Sequence, residues 1–129
     1  MDKAEINKTW YWIDTFLDED IEKFKDEVDN YDFKACYINE ENAVGISVWS
    51  DTGDVTLDDS YNKFLENLQN SKYYEHRKIY EELKEKNKLQ LENTYMLGTT
   101  IIGTKEELKK LIGNPHIKAS SIGIVIDKF

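Results

Sequence analysis

Apolar positions in this chain fall into blocks of two alternating periods. Lys8-Thr9-Trp10-Tyr11-Trp12-Ile13-Asp14 is aromatic or β-branched at almost every position, a composition suited to a pleated, largely buried surface, and it predicts a first strand. Over residues 18–29 the period changes: Ile21, Phe24 and Val28 recur at helical spacing, and Asp18, Glu19 and Asp20 sit where the dipole of a helix favours negative charge. Residues 33–38 and 44–49 read as two strands joined by Asn39-Glu40-Glu41-Asn42, a link of hairpin size, and Asp51-Thr52-Gly53-Asp54 follows as a turn. Ser60 is the predicted N-cap of the next helix, in which Tyr61, Phe64, Leu65 and Leu68 form an apolar stripe. Tyr73, Tyr80 and Leu83 continue the stripe beyond Asn70-Ser71, so two helices, or one bent helix, run to the neighbourhood of Asn87. These tyrosines are expected to face the core with their hydroxyls at its rim.

The last third carries the sharpest local signals. Residues 95–102 predict a strand, Gly103 a break, and Thr104-Lys105-Glu106-Glu107 a capping box: the threonine hydroxyl accepts the N–H of Glu107 and the glutamate reaches back. Leu108, Leu111 and Ile112 give this helix an apolar face, Gly113 suits its stop, and Asn114-Pro115 prevents continuation. Beyond Ile117-Lys118-Ala119-Ser120-Ser121, the run Ile122-Gly123-Ile124-Val125-Ile126 predicts an inner strand, and strand, helix and strand together suggest a crossover unit on one sheet. The whole reads as α+β: a mixed β-sheet with helices packed on one face and a C-terminal strand-helix-strand unit.

A chain of 129 residues is expected to form a single domain, with roughly two-thirds of the extended surface buried on folding. The net charge is −9, from 17 basic and 26 acidic residues, with no basic block to offset clusters such as Asp58-Asp59. Such a surface repels the phosphate backbone, so no nucleic-acid partner is expected, and it would suit a basic protein partner. The one cysteine, Cys36, lies in an apolar-leaning run and reads as a small buried hydrophobe. No apolar run has the length needed to cross a bilayer.

Candidate chemistry is sparse. Gly98-Thr99-Thr100-Ile101-Ile102-Gly103-Thr104-Lys105 superficially resembles a phosphate-binding loop, but the order of lysine and hydroxyl is reversed and Thr104 already has a capping role. Asp51 and Asp54 lack the remaining ligands of a calcium loop, and no metal or cofactor is expected. A hydrolase needs a base, and only His76 and His116 supply imidazoles, the first among charged residues of a helix and the second in a loop after Pro115. The chain is therefore expected not to be an enzyme. The surface singled out for recognition of an unknown ligand or partner is Asn114, His116, Ser120 and Ser121, a polar loop leading into a buried strand.

Leu97-Gly98-Thr99-Thr100-Ile101-Ile102-Gly103-Thr104-Lys105-Glu106-Glu107-Leu108, continued by Asn114-Pro115-His116-Ile117-Lys118-Ala119-Ser120-Ser121-Ile122-Gly123, resembles the C-terminal domain of Gram-positive anti-sigma factors, the sigma factor regulators. Trp10-Tyr11-Trp12-Ile13-Asp14-Thr15 and the tyrosine-rich helices add to the likeness. The resemblance implies a membrane-anchored regulator: a cytoplasmic end holds a sigma factor, and one membrane helix leads to an extracytoplasmic sensory domain like this one. Neither the sigma-binding segment nor the membrane helix is in the sequence. The expectation is thus either the outer domain of a longer chain or a free-standing relative, with the sigma factor reached only through the other segment. The rival from another class is a small acidic inhibitor of the immunity type, covering the basic site of a toxin.

Overall fold

The computed structural model describes residues 7–30, 43–48 and 55–126. The strand expected over 33–38, its link over 39–42, Cys36 and the turn over 51–54 lie outside the described residues. Two compact units are distinguished, Lys8–Ile101 and the remainder of the chain.

In the larger unit the aromatic run becomes β1 (Asn7–Ile13), the middle strand of three in the order β2-β1-β3. Strand β2 (Gly45–Ser47) pairs with it antiparallel in the register Trp10↔Ser47, Tyr11↔Ile46, Trp12↔Gly45. On the other side lies β3 (Met96–Ile102). There the Asp14 N–H donates to the Tyr95 carbonyl (3.0 Å), while Thr9 Oγ1 donates to the Thr100 carbonyl (3.4 Å). One number rises as the other falls, so this pairing is antiparallel too. The mixed sheet expected from a C-terminal crossover unit is not what forms. The run 122–126 forms no ladder, and the described sheet is antiparallel throughout.

Alternation along β1 sorts its side chains onto two faces. Ile13 and Tyr11, with Ile46 from β2, meet the helices, and Trp10 and Trp12 point the other way, over Gly45 and Gly98 respectively. The helical stripe forms two helices, α2 (Leu57–Gln69) and α3 (Tyr74–Glu85). Their Tyr61, Leu65, Leu68 and Leu83 complete the buried core with Ile13 and Ile46. Each such aliphatic side chain taken from water contributes about 1.5–3 kcal/mol. Tyr61 is fully buried and Tyr80 half-buried, as a core-facing stripe requires. Tyr73 is the exception: it occupies the N-cap of α3 rather than its interior, and it is exposed.

The start of α2 corrects the sequence reading. Its N-cap is Thr56, not Ser60: Thr56 Oγ1 accepts the Asp59 N–H at 3.1 Å and the Asp59 carboxylate accepts the Thr56 N–H at 3.4 Å. Ser60 lies inside the first turns, its N–H bonded to the Thr56 carbonyl. Thr56→Ala should therefore lower stability by about 1 kcal/mol. Ser60→Ala should stay within about 0.5 kcal/mol. Paired urea titrations decide between the two caps.

Helix α3 ends near Asn87 in a two-bond cap: the Asn87 N–H reaches the Lys84 carbonyl (3.1 Å) and the Lys88 N–H reaches the Leu83 carbonyl (2.8 Å). This closure needs one left-handed residue, and Asn87 supplies it with φ 56°. The first helix, α1 (Asp18–Asn30), forms with its three acidic residues in the opening turn.

In the smaller unit, described over 102–126, Thr104 caps α4 (Lys105–Lys109) as the capping box requires. Glu107 Oε2 accepts the Thr104 N–H at 2.6 Å and the Glu107 N–H reaches Thr104 Oγ1 at 3.3 Å. Gly113, with φ +81°, turns the chain out of the turns that follow. The run 122–126, expected as an inner strand, is neither strand nor buried: Ile122, Ile124, Val125 and Ile126 are 86, 89, 80 and 82% exposed. A β-branched run lacks the partner groups that make a strand until another strand aligns with it, and among the described residues none does.

Candidate functional site

Asn114, the first residue of the predicted recognition loop, is half-buried and locally committed. Its Oδ1 accepts the His116 N–H at 2.9 Å, and its carbonyl accepts the Ile117 N–H at 3.1 Å. An asparagine side chain closing on the backbone two residues on is how such a turn is built around Pro115, so the side chain shapes the loop. His116, Ser120 and Ser121 are all exposed along the segment that follows. The four residues thus share one stretch of surface chain.

His76 sits in the first turn of α3, exposed. Its Nδ1 lies 2.8 Å from Ser71 Oγ, and its ring stands edge-on to Tyr73 at 5.4 Å. Ser71 Oγ also accepts the Tyr73 N–H at 3.2 Å. The serine and histidine therefore tie off the α2–α3 turn on the surface, and neither lines the cleft described next. The residues from Gly98 to Thr104 are strand and helix cap, which leaves no loop to cradle a phosphate. Among the described residues no group of three His, Cys, Asp or Glu side chains could hold a metal ion.

Sequence reasoning missed a polar knot where β1 leaves the sheet. The Lys88 carbonyl accepts the Tyr61 hydroxyl at 2.6 Å and Thr94 Oγ1 at 3.1 Å, and Thr94 Oγ1 lies 2.8 Å from the Tyr61 hydroxyl. Burial pushes the Tyr61 phenol above its ordinary pKa, and the contact with Thr94 pulls weakly the other way. Lys88 directs its ammonium towards Asp14 (3.5 Å) and over the ring of Tyr95 (5.2 Å to its centre). A small cleft opens beside it, lined by Asp14, Thr15, Phe16, Glu82, Lys86 and Lys88 among others. Its charged groups pair among themselves or with α1. Lys86 Nζ is 2.7 Å from Asp18 Oδ1 and 3.5 Å from Glu82 Oε1, and the bond to Asp18 is the main cause of its raised pKa. Lys78 is raised likewise by its hydrogen bond to Glu19. No sequence pattern announces this knot, because the contacts that bring Tyr61 and Asp14 to Lys88 span 27 and 74 residues.

The side chains described here tie helices and turns to one another. A family model described as sigma factor regulator C-terminal matches residues 1–124. The chain belongs to this family. A sigma factor regulator C-terminal domain is regulatory in kind, and the matched span includes the stretch from β3 through α4 to Gly123 on which the resemblance rested. No curated protein and no solved structure matches the chain. No helix among the described residues of this sigma factor regulator domain is long and apolar enough to cross a membrane.

Proposed function

We propose that the chain is the extracytoplasmic sensory domain of a membrane-anchored anti-sigma factor in a Gram-positive bacterium, controlling an alternative sigma factor without catalysis. The observation that carries this reading is the family match over residues 1–124. The domain acts through a membrane helix and a sigma-binding segment elsewhere in the regulator. A signal can operate it only by favouring one arrangement of the domain over another, since equal affinity for both shifts nothing. The recognition surface on this reading is the exposed segment with His116, Ser120 and Ser121, shaped by the turn at Asn114.

The test is a titration of this chain against the purified cognate sigma factor. Because the sigma-holding segment lies elsewhere on this reading, no binding is expected at about 0.15 M salt, where the screening length is about 8 Å and non-specific attraction between an acidic surface and a basic protein fades. Salt-resistant binding at micromolar affinity or tighter would place the sigma-binding function in this domain and overturn the sensory reading. The alternative of a small acidic inhibitor draws on the charge of −9 and on the small size of the chain.

A further inference from the structure

Helix α1 is attached unlike the other helices of its unit. Helices α2 and α3 are fixed by buried Tyr61, Leu65, Leu68 and Leu83, whereas α1 buries no residue at all. Its Ile21 and Val28 are exposed, and Phe24 touches the edge of Phe16, ring centres 5.8 Å apart. Among the described residues, the hydrogen bonds and ion pairs that join α1 to α3 and its C-cap involve charged side chains. Asp18 receives Lys86 at 2.7 Å, its backbone N–H donates to Glu82 Oε1 at 3.0 Å, and Glu19 pairs with Lys78. Glu82 of α3 and Lys86 at its C-cap also form the wall of the cleft, and so does Phe16.

Exposed ion pairs are individually weak and are screened by salt, whereas buried apolar contacts are not. A helix as short as the 13 residues of α1 is marginal in water once it leaves its support. We propose that α1 is an ionic strap, released from α3 by rising ionic strength so that the cleft opens while α2, α3 and the sheet stay folded.

The test is hydrogen exchange of the whole chain, read by mass spectrometry at fixed pH in low and high sodium chloride. Raising the salt from about 0.02 to 0.5 M shortens the screening length from about 20 to about 4 Å. Exchange within α1 should then rise about tenfold while α2 and α3 keep their protection. Lys78→Glu should open α1 already at low salt, and adding Glu19→Lys, which reverses the pair, should close it again. Equal protection of α1 at both salts would overturn the proposal, as would exchange rising alike in all three helices. So would a reversed pair that leaves α1 open while α2 and α3 remain protected.

Discussion

Tyr61→Ala is expected to be among the most damaging single changes in the chain, lowering stability by about 3–5 kcal/mol. The ring is fully buried between the sheet and α3, where its removal leaves a hole that Ile13, Ile46, Leu65 and Leu83 cannot close without moving backbone. A domain of this size has only about 5–15 kcal/mol to lose. Tyr61→Phe separates packing from the hydroxyl. Thr94 Oγ1 still reaches the Lys88 carbonyl, so that acceptor keeps a donor and the cost should be only about 1 kcal/mol. The hydroxyl also leaves a signature in pH. Because burial raises the phenol's pKa, the unfolded chain loses its proton first. The contribution is whole below about pH 10 and is lost as pH rises through the folded value. Urea midpoints followed up the alkaline range should fall less steeply for Tyr61→Phe, leaving the part due to the raised Lys78 and Lys86. Identical alkaline slopes would mean that the hydroxyl is solvated in the folded protein.

Gly45→Ala should cost about 3 kcal/mol, an unusual penalty for a single added methyl group. A Cβ at Gly45 would run into the indole of Trp10 and into the carbonyl of Tyr11. The indole could rotate, but the carbonyl belongs to the middle strand, so β2 itself has to shift. Gly98 is the control: there the added carbon would meet Trp12 at 3.6 Å, an ordinary contact, and Gly98→Ala should stay within about 1 kcal/mol. Denaturation midpoints read by tryptophan fluorescence test both at once. Similar losses at the two glycines would show that the close approach at Gly45 is not what fixes β2.

Features whose chemistry is complete within a few residues were legible in the sequence. The Thr104–Glu107 box, the strand over 95–102, the acidic opening of α1 and the helical stripes at Tyr61 and Leu83 all stand as read, because cap, dipole and period are local properties. Thr56 escaped notice since its box closes with Asp59 instead of the usual glutamate or glutamine, while Ser60 offered a plausible hydroxyl nearer the apolar stripe. The strand expected over 122–126 shows the opposite error. Composition gave it β character, but whether a strand forms is decided by a distant partner. Of the candidate site, the turn at Asn114 could be inferred from Asn-Pro, whereas the cluster around Lys88 could not.

Putting the first strand of the chain in the middle of the sheet imposes an order on its biosynthesis. The Ser47 hydroxyl bonds to Thr9 across 38 residues, and Thr9 must wait for Thr100, 91 residues later. At about 5–20 residues per second on the ribosome, β1 spends roughly 5–18 seconds with at least one edge unpaired. A nascent segment as aromatic as Trp10-Tyr11-Trp12 is liable in that interval to pair with its neighbours. Asp14, Asp18, Glu19 and Asp20 follow it at once, and their mutual repulsion between chains keeps such segments apart. Three of these four carboxylates later take up Lys88, Lys86 and Lys78, and two of them, Asp18 and Glu19, fasten α1, so charges that guard the chain during synthesis serve again in the folded protein.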